Sequence, residues 1–155
     1  MANKPTAIMC IDQNNIFFRY KKLNFKCLLD EVNKKYDVIK ATSYMALDQD
    51  SDSQKGFITY LCNNGYKCVT IDIGQDTNVD HILIADLTND YKNLKPDAVI
   101  IVSGDGHFAY ALDLCSKQGA ITTVIGARDF TSLELLKIAD NVQYLEDYSD
   151  VIPKN

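Results

Sequence analysis

The sequence predicts an α/β fold, a Rossmann-like three-layer α/β/α sandwich around a mainly parallel central sheet. Apolar runs of strand length alternate with stretches of helical spacing along the whole chain. Turn signals such as Asn64-Gly65, Lys95-Pro96-Asp97 and Gly119 separate them. No internal repeat or linker breaks the alternation, so residues 1–155 read as one domain. Right-handed crossovers favour a doubly wound sheet, whose sites lie at the carboxyl ends of strands near the switch in strand order.

Each element has its own signal. Thr6 to Ile11 is a short apolar run, read as a first strand that ends at Asp12, with turn-like Gln13-Asn14-Asn15 behind it. Phe25, Leu28, Leu29 and Val32 have helical spacing within Phe25 to Tyr36. Val38 to Leu47 is rich in β-formers and reads as a second strand. Ser51-Asp52-Ser53-Gln54 has the form of a capping box, opening a helix that Asn64-Gly65 stops. Tyr66 to Ile73 is a third strand, followed by a loop at Gly74-Gln75-Asp76. Thr77-Asn78-Val79-Asp80 opens a helix that runs to about Tyr91. Four consecutive branched residues, Val99 to Val102, mark a buried fourth strand within Ala98 to Val102. The chain then turns through Ser103-Gly104-Asp105-Gly106 into a helix from Phe108 to Lys117. Ile121 to Ile125 is a fifth strand, and Thr131-Ser132-Leu133-Glu134 is a second capping box. Val142 to Leu145 is a last short strand, and Glu146 to Asn155 reads as an acidic, loose tail.

Composition narrows the function. Apolar runs of only a few residues exclude a membrane-spanning helix, and the amino terminus lacks a signal peptide's apolar core. The five cysteines are odd in number and form no CxxC pair, so they read as reduced core thiols of a cytoplasmic protein. A net charge of −5 argues against a broad non-specific nucleic-acid surface but permits a basic patch beside a metal-filled acidic pocket.

Asp12 and Asp105 each follow a strand directly, and the switch in strand order would bring them together. Asp80 sits in the first turn of a helix. These three carboxylates are the candidates for one pocket. Clustered carboxylates repel and need a counter-charge, which Mg²⁺ or Mn²⁺ supplies in an all-oxygen site. Such a pocket points to phosphoester chemistry. Plainer readings stand beside it: an Asx-turn at Asp12, a helix-dipole partner in Asp80, turn chemistry at Asp105. Asp86 lies roughly 240° round the helix from Asp80 and ranks behind it as a metal ligand. Asn15 either orients Asp12 or a phosphate, or caps a helical turn. Ser103 bonds a phosphate or the loop backbone. Thr131 and Ser132 hold an anion or cap a helix. Arg19, Lys21, Lys22 and Lys26, interleaved with Phe17, Phe18 and Tyr20, offer backbone contacts and stacking, or a solvated face over buried rings. Arg128 contacts phosphate or pairs with Asp129.

Four pieces of the sequence resemble the NYN domain proteins of the PIN-like nuclease superfamily, in particular the LabA-like branch. They are Ile11-Asp12-Gln13-Asn14-Asn15, then Val79 to Asp86, then Val99 to Phe108, and last Gly119 with Ser132-Leu133 and Ala139-Asp140. The resemblance spans Ile8 to about Tyr148. It implies a PIN-like fold and a metal-dependent (endo)ribonuclease in which a metal-activated water attacks the phosphodiester, with RNA favoured over DNA as substrate. Asp12, Asp80 and Asp105 would be metal ligands or water-positioning groups, and Asn15 would position Asp12 or the scissile phosphate. Two positions depart from the family pattern. His107 stands where Ser-Gly-Asp-Ser-Asp-Phe has its second acid, and Thr77-Asn78 replace the lysine often found before Val-Asp. An imidazole there favours Mn²⁺ or a softer ion over Mg²⁺, or serves as a proton donor, or merely closes the loop. His81 reads as structural.

The leading expectation is therefore a metal-dependent ribonuclease, with a homodimer left open. A catalytically weakened nucleic-acid-binding or regulatory module is the alternative. An Asp-dependent phosphatase ranks last, because Asp12-Gln13-Asn14 lacks a paired Asp-x-Asp.

Overall fold

Alternation in the two central strands divides the molecule. In β1 (Thr6–Asp12), Ala7, Met9 and Ile11 enter one core, while Ile8 and Cys10 enter the other. In β4 (Ala98–Val102), Ala98, Ile100 and Val102 join the first core, and Val99 and Ile101 the second. Successive strand side chains point to opposite faces, so both faces of the sheet are apolar and both need helical cover. The computed structural model describes residues 3–19, 22–48, 50–73, 78–148 and 150–153, with only the backbone of 17–19.

The remaining strands are β2 (Asp37–Leu47), β3 (Lys67–Asp72), β5 (Ile121–Gly126) and β6 (Asn141–Tyr144). The described residues form a six-stranded sheet in the order β3-β2-β1-β4-β5-β6, with every neighbouring pair parallel. The predicted three-layer α/β class is what the chain adopts. The first face is covered by α1 (Gln13–Arg19), α2 (Phe25–Asn33) and α3 (Asp52–Asn63), through Ile16, Phe25, Leu28, Val32 and Leu61. The second is covered by α4 (Val79–Leu94), α5 (Ala109–Lys117) and α6 (Leu133–Ile138), through Leu83, Leu87, Leu112, Cys115 and Leu135. Strand order reverses between β1 and β4, which sets their carboxyl ends side by side at the crevice where such sheets bind ligands.

Several elements differ from expectation. The turn expected after Asp12 is the helix α1, whose Ile16 is buried in the first core. The helix expected to reach Tyr36 stops at Asn33, because β2 begins at Asp37 and pairs with Thr6. The opening of α4 lies partly outside the described residues. Asn78 is its cap, accepting the Asp80 N–H at 2.9 Å, while Gly74 to Thr77 are not described. Ser51 caps α3 as expected, but Gln54 spends its amide on Ala46 O and Asp48 N. A 3₁₀ turn (Gly106–Phe108) precedes α5. The acidic tail is not loose where it is described. Val151 is buried in the first core, and its carbonyl accepts the Asn24 N–H at 2.7 Å. All five cysteines are free, but only Cys10 and Cys115 are buried. No described helix is long and apolar enough to cross a membrane.

Candidate active site

Asp12 ends β1 on the face that carries Ile8 and Cys10, the side covered by α4 and α5. Strand parity alone therefore aims its carboxylate towards Asp80 and Asp105. It also stands directly before α1, at the N-cap position. The carboxylate accepts the backbone N–H of Asn15 within α1 and the Ser103 hydroxyl at 3.0 Å. Ser103 also accepts the Asp105 N–H at 3.0 Å, so one buried hydroxyl ties the end of β1 to the loop after β4. Asn15 makes a second tie, its Oδ1 accepting the Gly104 N–H at 3.0 Å. Ser103 therefore serves the carboxylates and the loop backbone, and is too buried to offer its hydroxyl to a substrate.

Asp105 caps the 3₁₀ turn, accepting the His107 N–H at 2.9 Å. That turn brings the imidazole back over the acids. His107 Nδ1 lies 3.3 Å from Asp105 Oδ1 and 3.5 Å from Asp80 Oδ2, with most of the ring in solvent. One ligand atom each from Asp80, Asp105 and His107 lies within 4.8 Å of the others. Two carboxylates and an imidazole at that separation have the donor types and spacing a divalent ion takes. Asp12 sits behind this group and senses the charge of both acids.

The electrostatics show the strain of that gathering. Burial, then the charge of Asp80, pushes the Asp12 carboxyl up to about 6, against the hydrogen bonds from Ser103 and Asn15. Burial and the neighbouring Asp105 also raise Asp80, and His107 opposes the shift. An acid raised on folding holds its proton longer in the native state than in the unfolded one. The stability of the metal-free protein should therefore fall as pH rises from about 4 to about 6, and stay lower above that window. Thermal unfolding in EDTA across this range should show that loss. Asp12→Asn should flatten it, and an unchanged profile in the variant would show that Asp12 is not its source.

Other candidates are placed elsewhere. Asp86 lies about 9 Å further along α4 than Asp80, accepts the Tyr44 hydroxyl at 3.1 Å, and is not in the Asp80–Asp105–His107 group. Helical phase separates it from the group. Arg128 neither faces the site nor pairs with Asp129. Its guanidinium bonds the Asp147 carboxylate and lies 4.4 Å from the Tyr144 ring centroid. Ser132, not Thr131, caps α6, and its hydroxyl is also bonded to Glu134, so it is not open to an anion. Thr131 donates to Ala127 O instead. Lys22 is exposed on the α2–α3 side, away from α4. The side chains of Arg19, Phe17 and Phe18, and all of Tyr20 and Lys21, lie outside the described residues. His81 is exposed and stands apart from the Asp80–Asp105–His107 group. Sequence reasoning missed Phe57 and Tyr60. They stand three apart on α3 and line a groove with Gln13 and Asn14; their aromatic i, i+3 spacing was the available signal.

Comparison with known proteins bears on the fold and the family. The chain is 25% identical to the low amplitude and bright protein LabA of Synechococcus elongatus, over 99% of this chain and 91% of that one. A crystal structure of a Vibrio parahaemolyticus protein of unknown function superposes with a TM-score of 0.79 at 22% identity, over 95% of this chain and 98% of that one, and supports the fold. The NYN domain model matches residues 6–146. With that match covering most of its length, the chain belongs to the NYN domain family.

Proposed function

We propose that this protein is a metal-dependent nuclease of the cytoplasm that hydrolyses RNA phosphodiester bonds. The observation that carries the reading is the convergence of Asp80, Asp105 and His107, with Asp12 held behind them, at the β1–β4 crevice of an NYN domain. Asp80, Asp105 and His107 would hold the ion. Bound there, Mg²⁺ or Mn²⁺ supplies Lewis acidity towards a phosphate oxygen and a lower pKa for water. Asp12, held directly behind those residues, is the carboxylate placed to accept a proton from an attacking water. Ser103 and Asn15 keep that carboxylate and the Asp105 loop in one arrangement.

Cleavage of single-stranded RNA is expected to require Mn²⁺ or Mg²⁺ and to stop with EDTA. Folded wild type that leaves RNA intact with either ion would remove the nuclease reading. One imidazole among the ligands favours Mn²⁺, and His107→Asp should move the preference towards Mg²⁺ in metal titrations of the cleavage rate. The exposed ring of His107, at the position of an expected acid, favours a second reading as a catalytically weakened RNA-binding module. An inert wild type and an active His107→Asp variant would support that one.

A further inference from the structure

Across the carboxyl edge of the sheet from the acidic group lies a groove of about 740 Å³, on the face covered by α1, α2 and α3. Its volume is that of a small-ligand site. Phe57, Tyr60 and Ile73 supply apolar walls, Asn14 supplies a side-chain amide, Lys22 a cation and Asp48 a carboxylate, while the buried Gln13 beside them spends its amide oxygen on the Ser43 hydroxyl. Nothing in the chemistry above uses these residues.

The rings are held in place. Phe57 packs edge-on against Phe25 at 5.5 Å, and Tyr60 lies 6.3 Å from Phe57 with the planes 33° apart. The Tyr60 hydroxyl accepts the Lys26 N–H at 3.4 Å. Ile73 is 69% exposed, a large apolar side chain left bare at the rim. Aromatic and apolar surface suits the face of a base, and the half-buried Asn14 amide suits its polar edge. Lys22 is exposed and has no ion-pair partner among the described residues, which suits it to a phosphate. The groove also adjoins the acidic group through the first turn of α1. Asn14 lines the groove, while the next residue, Asn15, holds Gly104 beside Asp105.

We infer that this groove is a nucleoside subsite, which seats one base of an RNA strand whose backbone crosses the sheet edge to the acidic group. The inference rests on the nucleic-acid reading proposed above. It assigns a base-stacking role to Phe57 and Tyr60 and a phosphate contact to Lys22.

The test is titration of the full chain with AMP, GMP, CMP and UMP and with the matching nucleosides, followed by the methyl NMR signals of Met45 and Ile73. Nucleotides should shift these signals saturably and bind more tightly than nucleosides. Tyr60→Ser should weaken binding about tenfold, in line with loss of one stacked ring. Lys22→Glu, at an exposed position, should erase the advantage of nucleotide over nucleoside. Asp105→Asn should leave binding in the groove unchanged while abolishing cleavage, so the two readings fail separately. Saturable binding without cleavage by the wild type would support the subsite and remove only the nuclease. Cleavage that Tyr60→Ser leaves unchanged, with no nucleotide-dependent shifts, would overturn the subsite alone. Shifts produced by benzene but by none of the nucleotides would also overturn it.

Discussion

Asp105→Asn should lower metal-dependent RNA cleavage by at least about a hundredfold, because a metal's charge stabilisation is worth several kcal/mol and each 1.4 kcal/mol is tenfold in rate. The substitution removes one of two carboxylates that, with His107, bring their ligand atoms within 4.8 Å. It does little to the fold. Asp105 accepts the His107 N–H as a cap, and asparagine caps as well as aspartate. The loop's other ties run through the Asp105 backbone N–H and Gly104, which the change leaves in place. The melting temperature should therefore stay near that of the wild type, and Mn²⁺ should no longer raise it. Full activity in a folded variant would remove Asp105 from the chemistry.

Gly104→Ala should do the opposite, with its main effect on the fold. A Cβ at position 104 would collide with the Phe130 carbonyl oxygen and crowd the Thr131 Cα, both backbone atoms with little room to give. Gly104 also accepts the Ser132 N–H at 2.9 Å and donates to Asn15, so the loop cannot retreat without losing both bonds. Overpacking of this kind costs about 3 kcal/mol, or about 6–12 °C in melting temperature for a chain of this size. Activity should fall with it, since the same loop carries Asp105. Gly56→Ala is the control. Nothing lies near a Cβ there, at an exposed position of α3, and the change should be stabilising by about 0.5–1 kcal/mol. Thermal unfolding of the two variants side by side measures the contrast, and equal melting temperatures would show that Gly104 is not sterically required.

Much of the site could be read from the sequence because strand ends are readable. Alternation of apolar runs and helical spacing identified a parallel sheet, and the switch rule placed Asp12 beside Asp105. What stayed hidden depends on partners distant in the chain. Ser103 could be read as a phosphate contact until the fold buried it against Asp12, 91 residues away. Arg128 resembled a strand-end cation, and only the return of the chain at Asp147 shows where its charge goes. The helix α1 was obscured by Asn14 and Asn15, both poor helix formers; Ile16 in the core holds it there.

The sequence alone determined the α/β class, the strand-end acids and the histidine among them, because local periodicity and residue chemistry are properties of the chain itself. The tertiary structure decided which side chains share a site. Strand parity joined Asp12 to the α4 face, and helical phase set Asp86 apart. Burial turned Ser103 inward, and the aromatic groove formed where α1, β2 and α3 meet. Each depends on direction in space, which residue spacing constrains only within one element.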